Sequence, residues 1–233
     1  MHWEHLLRQA RGSFYSIFIM QVACLATIFV YLIKPKASKS LIYLAIISFA
    51  SIIQVFIEEL DQLIYLKEIK DKKFDQKAMY IYLVIEILCC GLYIRENIRS
   101  SLGKKLILGS AVLFGLYTIS FGILNFNTKF LPSHIEIIEG LTITIYCLYF
   151  FYELFTEQPN KTLHRDSSFW AISGMLILFS AITPLFLFFN YLRAVHNPLA
   201  KSLYAINNIS YSLLFTTFII AILCDKKHSV QIP

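Results

Sequence analysis

The amino-acid sequence predicts an all-α fold, a polytopic membrane protein built as a bundle of seven transmembrane helices. Three observations carry this prediction. Of the 233 residues, 57% are hydrophobic and 15% charged, whereas a soluble domain carries roughly a quarter charged residues and about half apolar ones. Mean hydropathy is +0.62. The apolar excess is gathered into runs of about 20 residues, long enough to cross a ~30 Å hydrocarbon core at ~1.5 Å per residue. A membrane barrel would instead show alternating strands of about 10 residues, and the sequence has none.

The spans lie near 13–33, 40–60, 78–95, 105–124, 135–156, 168–190 and 202–224. The first follows an amphipathic lead-in, "MHWEHLLRQARG", and is too long for the core of a signal peptide. The second ends in "QVFIEELDQ", which sets Glu58, Glu59 and Asp61 at a helix C-terminus, where the dipole disfavours them. The chain continues as "LDQLIYLKEIKDKKF". There Leu60, Leu63, Ile64, Leu66 and Ile69 form an apolar stripe beside charges, so the helix is expected to bend into an interfacial segment. The third span carries Glu86 near its middle, in "YLVIEILCCGLY". The fourth is a plain apolar run after Lys104 and Lys105.

The fifth span opens "LPSHIEIIEG", in which Ser133 and Glu136 match a capping box. It closes on Glu153, expected to reach the interface and a basic neighbour such as Arg95. Pro184 in the sixth span removes one backbone hydrogen bond and is expected to kink that helix. The seventh opens on polar residues, "SLYAINNISYS". The connections are short, so residues 1–233 read as a single transmembrane domain with no internal repeat of the transporter kind.

Lys and Arg in the connections set the orientation. Raw counts barely separate the two sides, ten against eleven. However, half of the ten (Lys67, Lys70, Lys72, Lys73 and Lys77) share one loop with Glu68, Asp71 and Asp75. The other side is basic in each of its segments: Lys34, Lys36 and Lys39; Arg95, Arg99, Lys104 and Lys105; Lys161 and Arg165; Lys226 and Lys227. That side is expected in the cytoplasm, with the N-terminus outside and the C-terminus inside.

A few polar groups demand a reason. An isolated charge at the bilayer centre costs roughly 3 kcal/mol on insertion scales, so Glu86 is expected to face the bundle. It then serves either as a structural hydrogen-bonding group or as a ligand-contacting one. Asn190, Tyr204, Asn207, Asn208 and Tyr211 fall in the outer half, where interhelical hydrogen bonding explains such residues adequately. Their co-location with Glu58, Glu59, Asp61 and Glu139 points further, to an outward polar pocket for a small cationic or lipid-like ligand. If the helices close as a ring, the second is expected to border the third and the seventh. That arrangement brings its acids to Asn207 or Asn208.

Much is absent. No lysine lies in the last span between Lys201 and Lys226, which excludes a retinal Schiff base at its middle. No H-E-x-x-H, G-x-S-x-G or P-loop occurs, and no catalytic constellation is visible. The six histidines are scattered, so nothing calls for a metal or another cofactor. The basic loops belong to membrane orientation, not to nucleic-acid binding. The five cysteines (Cys24, Cys89, Cys90, Cys147 and Cys224) read as small buried hydrophobes.

The second half, "YCLYFFYELF" followed by "SSFWAISGMLILFSAITPLFLF" and a polar-starting last helix, resembles a bacterial family. Its members are seven-helix membrane sensory segments that precede histidine kinase domains or occur as stand-alone proteins. The resemblance covers residues 80–224 and rests on the apolar pattern and the F-W…G…F-S string. It implies a bacterial inner-membrane bundle that passes a signal inward. Only "DKKHSVQIP" follows Cys224, so output is expected through a cytoplasmic or membrane partner such as a kinase. The leading expectation is a receptor-like or accessory sensory protein. The alternatives are a membrane-embedded enzyme or small transporter using Glu86 and the outer acids, and a structural subunit of a membrane complex.

Overall fold

A chain in hydrocarbon must satisfy its backbone polar groups internally, and each apolar run does so as an α-helix. The computed structural model describes residues 2–34, 37–65, 73–124, 133–157, 162–195 and 197–225. Its side chains are described over 15–34, 37–57, 78–124, 133–156, 162–188, 191, 195 and 206–225. The helices are α1 (His2–Ile33), α2 (Leu41–Tyr65), α3 (Lys73–Asn97), α4 (Ser101–Leu124), α5 (Ser133–Glu157), α6 (Ser167–Val195) and α7 (Asn197–Cys224). Six contain a stretch long and apolar enough to cross a membrane, and α2 contributes a shorter apolar stretch, Leu41–Ile57. The chain is therefore a polytopic helical membrane bundle.

Most helices overrun their predicted spans. The lead-in is continuous with α1, α2 reaches Tyr65, and α6 continues through Pro184 to Val195. Residues 66–72, which include the end of the expected interfacial segment, lie outside the described residues.

The order of the helices departs from expectation. α1 packs between α2 and α7, α2 against α3, α3 against α5, α5 against α6, and α6 against α7. Six helices thus close a ring, with α4 outside it against α3 and only lightly against α5. The expectation that α2 borders α7 is corrected: α1 intervenes, and α2 meets α7 only marginally.

Inside the ring, Leu44, Ile87, Ile143, Met175, Phe215 and Phe218 are fully buried, while Phe18, Phe29, Phe49, Ile81, Leu113 and Ile145 point outward. Lipid tails are as apolar as leucine, so helices associate through close packing and hydrogen bonds rather than by escaping solvent. Gly140 of α5 lies against Thr183, and Gly174 of α6 against Thr217, each leaving no room for a methyl group. Thr27 of α1 donates to the Phe215 carbonyl of α7 (3.2 Å), and Ser110 of α4 pairs with the Tyr146 hydroxyl of α5 (2.6 Å).

The basic end of the bundle is tied by charge to helix termini. Lys34 Nζ donates to the carbonyl of Ile222 in the last turn of α7, the place where a cation complements the dipole. The Ser38 N–H donates to Asp225 (3.0 Å). Glu153 does not take Arg95 as its partner. Its carboxyl accepts from the backbone N–H groups of Arg99 (2.7 Å) and Ser100 (3.2 Å) just before α4, and Arg95 pairs with Glu96. Orphan N–H groups at a helix start are a stronger demand on a buried carboxylate than a half-exposed guanidinium. Cys24, Cys89, Cys90 and Cys147 are buried free thiols, as the sequence suggested, whereas Cys224, at the end of α7, is only half-buried.

Candidate functional site

At the end of the bundle where α3, α5 and α7 begin, the ring encloses a cavity of about 160 Å³. Every ring helix contributes to its wall. Met20 comes from α1, Ser51 and Gln54 from α2, Tyr82 and Leu83 from α3, and Glu136 and Glu139 from α5. Phe179, Ile182 and Phe186 of α6 and Asn207, Asn208 and Tyr211 of α7 complete it, whereas α4 supplies none of the lining.

Helix periodicity explains the acid pair. Glu136 and Glu139 are three residues apart and so share one face of α5. That face is turned inward, leaving the two side chains 7% and 2% exposed. His134, two positions before Glu136, is instead exposed and edge-on to Phe121 at 4.7 Å.

Glu86 stands just outside the lining, joined to it by two tyrosines. Tyr82, one turn earlier on α3, donates to Glu86 Oε1 at 2.8 Å. Ser51 of α2 donates to the Tyr82 hydroxyl at 3.1 Å, and Tyr211 of α7 donates to Glu86 Oε2 at 3.4 Å. The resulting chain ties α2, α3 and α7 around a carboxyl that is 1% exposed. Among the described residues, no Lys, Arg or His lines the cavity.

Four acceptors in the wall of the cavity go unmatched. Glu136 Oε2, Glu139 Oε1, Gln54 Oε1 and Asn207 Oδ1 are all buried without a hydrogen-bond partner among the described residues. An orphaned buried acceptor costs about 1–3 kcal/mol, and buried polar groups are ordinarily paired. Turning either amide would exchange its oxygen for an NH₂ group, so the two carboxyls carry the demand. Asn208 is already engaged, donating to Ser16 of α1 at 3.2 Å.

Of the residues singled out from sequence, Glu139, Asn207, Asn208 and Tyr211 line this cavity and Glu86 backs it. The side chains of Glu58, Glu59, Asp61, Asn190 and Tyr204 lie outside the described residues. Ser51, Gln54 and Tyr82 were missed, and Glu136 was read only as a capping acid. The i, i+4 spacing of Tyr82 and Glu86 and the i, i+3 spacing of the two α5 acids were the available signals.

No protein-family model, curated protein or solved structure matches the chain. The chemistry of the site therefore rests on its own geometry. Among the described residues, that geometry has hydroxyls and carboxyls but no nucleophile held by a base and an orienting group in the manner of an acyl-transfer site.

Proposed function

We propose that this integral membrane protein is a receptor-like or accessory sensory component that binds a small molecule in the cavity. It would pass occupancy through its helices to a membrane or cytoplasmic partner such as a kinase. The observation that carries this reading is the composition of the wall: all six ring helices contribute to it. An occupant therefore touches every helix whose relative position a signal must change, and its differential affinity for two arrangements is what shifts their populations. The resemblance to bacterial sensory segments supports the same direction, as does the proposed N-out, C-in orientation, which opens the cavity toward the exterior.

Thermal unfolding in lipid nanodiscs, read against pools of small solutes, tests this. A stabilising solute should lose its effect in Ile182→Trp, which fills the cavity. Stabilisation that persists in the filled variant would refute the reading.

A second reading is favoured by one feature, the Ser51–Tyr82–Glu86–Tyr211 chain that leads from the cavity to an acid in the middle of a span. Intramembrane acids mark ion and proton paths, so a small transporter would use the same groups. Cation or proton flux in proteoliposomes that disappears in Glu86→Gln would select it over the sensor.

A further inference from the structure

We infer that the cavity takes a primary ammonium group on a short apolar tail, a reading that rests on the proposed binding role and specifies its ligand. Glu136 and Glu139, each more than nine-tenths buried and each with a carboxyl oxygen unpartnered, line the cavity together, and none of the described lining residues is basic. An –NH₃⁺ group offers three donors and no acceptor, the complement of the oxygens left unmatched on Glu136, Glu139, Gln54 and Asn207. A quaternary ammonium has the charge but no N–H and would leave all of them orphaned. A divalent metal is a poorer match, because no three His, Cys, Asp or Glu side chains among the described residues converge closely enough to hold one.

The rest of the wall sets the tail. Val55, Leu83, Phe179, Ile182 and Phe186 are apolar. The volume of about 160 Å³ compares with the ~150 Å³ cavity that admits benzene. A tail of about four to six carbons fills it.

A primary ammonium could come from a free amine or from the headgroup of an ethanolamine phospholipid. The phosphodiester of the lipid would need a cationic partner beside the ammonium site, and none of the described lining residues is basic. The geometry therefore points to the free amine.

The test is titration of the full chain, in phosphatidylglycerol nanodiscs at fixed pH and ionic strength, with n-pentylamine, tetramethylammonium and n-pentanol. Saturable binding of pentylamine is expected, with the other two weaker by about tenfold or more, the loss expected when charge-assisted hydrogen bonds are removed. Glu139→Gln should weaken pentylamine by about tenfold or more and pentanol by a smaller factor. Should that variant fail to fold, Asn207→Ala serves, with a weakening of about threefold or more. Equal binding of tetramethylammonium or pentanol would overturn the ammonium assignment while the binding role stands. Failure of all three probes to bind, together with no solute stabilising the protein, would remove both. Competition by added phosphatidylethanolamine would overturn the free amine as the source.

Discussion

Tyr82 and Glu86 are the pair on which the arrangement of the cavity floor can be measured. The perturbation is a double-mutant cycle of Tyr82→Phe and Glu86→Leu. Tyr82→Phe removes the 2.8 Å donor to Glu86 and the acceptor of Ser51. Glu86→Leu removes the acceptor of both tyrosines, leaving one well-formed and one marginal hydroxyl contact, at 2.8 and 3.4 Å, unmade. A net hydrogen bond is worth about 1 ± 0.5 kcal/mol, and bonds to charged groups about 1.5–3. Pairs inside membrane proteins average about 0.6 kcal/mol with a ceiling near 1.7. The short, fully buried geometry puts the Tyr82–Glu86 coupling in the upper part of that membrane range, about 1–1.7 kcal/mol. The Tyr211–Glu86 contact at 3.4 Å sits near the limit of hydrogen-bond geometry, so a Tyr211→Phe cycle should return about 0.5 kcal/mol or less. The assay is reversible unfolding in mixed micelles, followed by circular dichroism for the wild type, both singles and the double. Additive single effects, with a Tyr82–Glu86 coupling below about 0.3 kcal/mol, would show that the two groups do not share a bond.

Three further outcomes are expected. Gly174→Ala sets a methyl group onto Thr217 across the α6–α7 contact and should cost about 1–3 kcal/mol of stability by overpacking, with partial recovery on adding Thr217→Ala; an unchanged unfolding midpoint would refute the close approach. Glu153→Ala leaves the Arg99 and Ser100 N–H groups without their carboxyl acceptor and should cost about 1–2 kcal/mol, as loss of a helix cap does, while Arg95→Ala should cost little. A cysteine introduced at exposed Lys39 should resist a membrane-impermeant thiol reagent in intact cells and react after lysis; labelling in intact cells would invert the proposed orientation.

Composition and run length alone determined the class of this protein, because the hydrocarbon core imposes a length near 20 residues and forbids unpaired backbone. The same constraint made Glu86 legible as an inward group, since an acid at mid-span cannot face lipid cheaply. The spacing of Glu136 and Glu139 was equally present in the sequence, yet a capping role and a cavity role look alike there. Only the rotation of α5 within the ring turns both acids inward. Ring order was not legible either. In water, an apolar stripe opposite a polar face announces which side of a helix is buried. In lipid, both sides are apolar, and Ile81 on the outside and Ile87 in the core of the same helix are chemically identical. What sorts them is shape: Gly140 against Thr183, Gly174 against Thr217, and the exclusion of α4 from a ring that α1 completes. The partner of Glu153 was decided the same way, by the tertiary placement of the α4 N-terminus, which brings the backbone N–H groups of Arg99 and Ser100, rather than the Arg95 side chain, to its carboxyl.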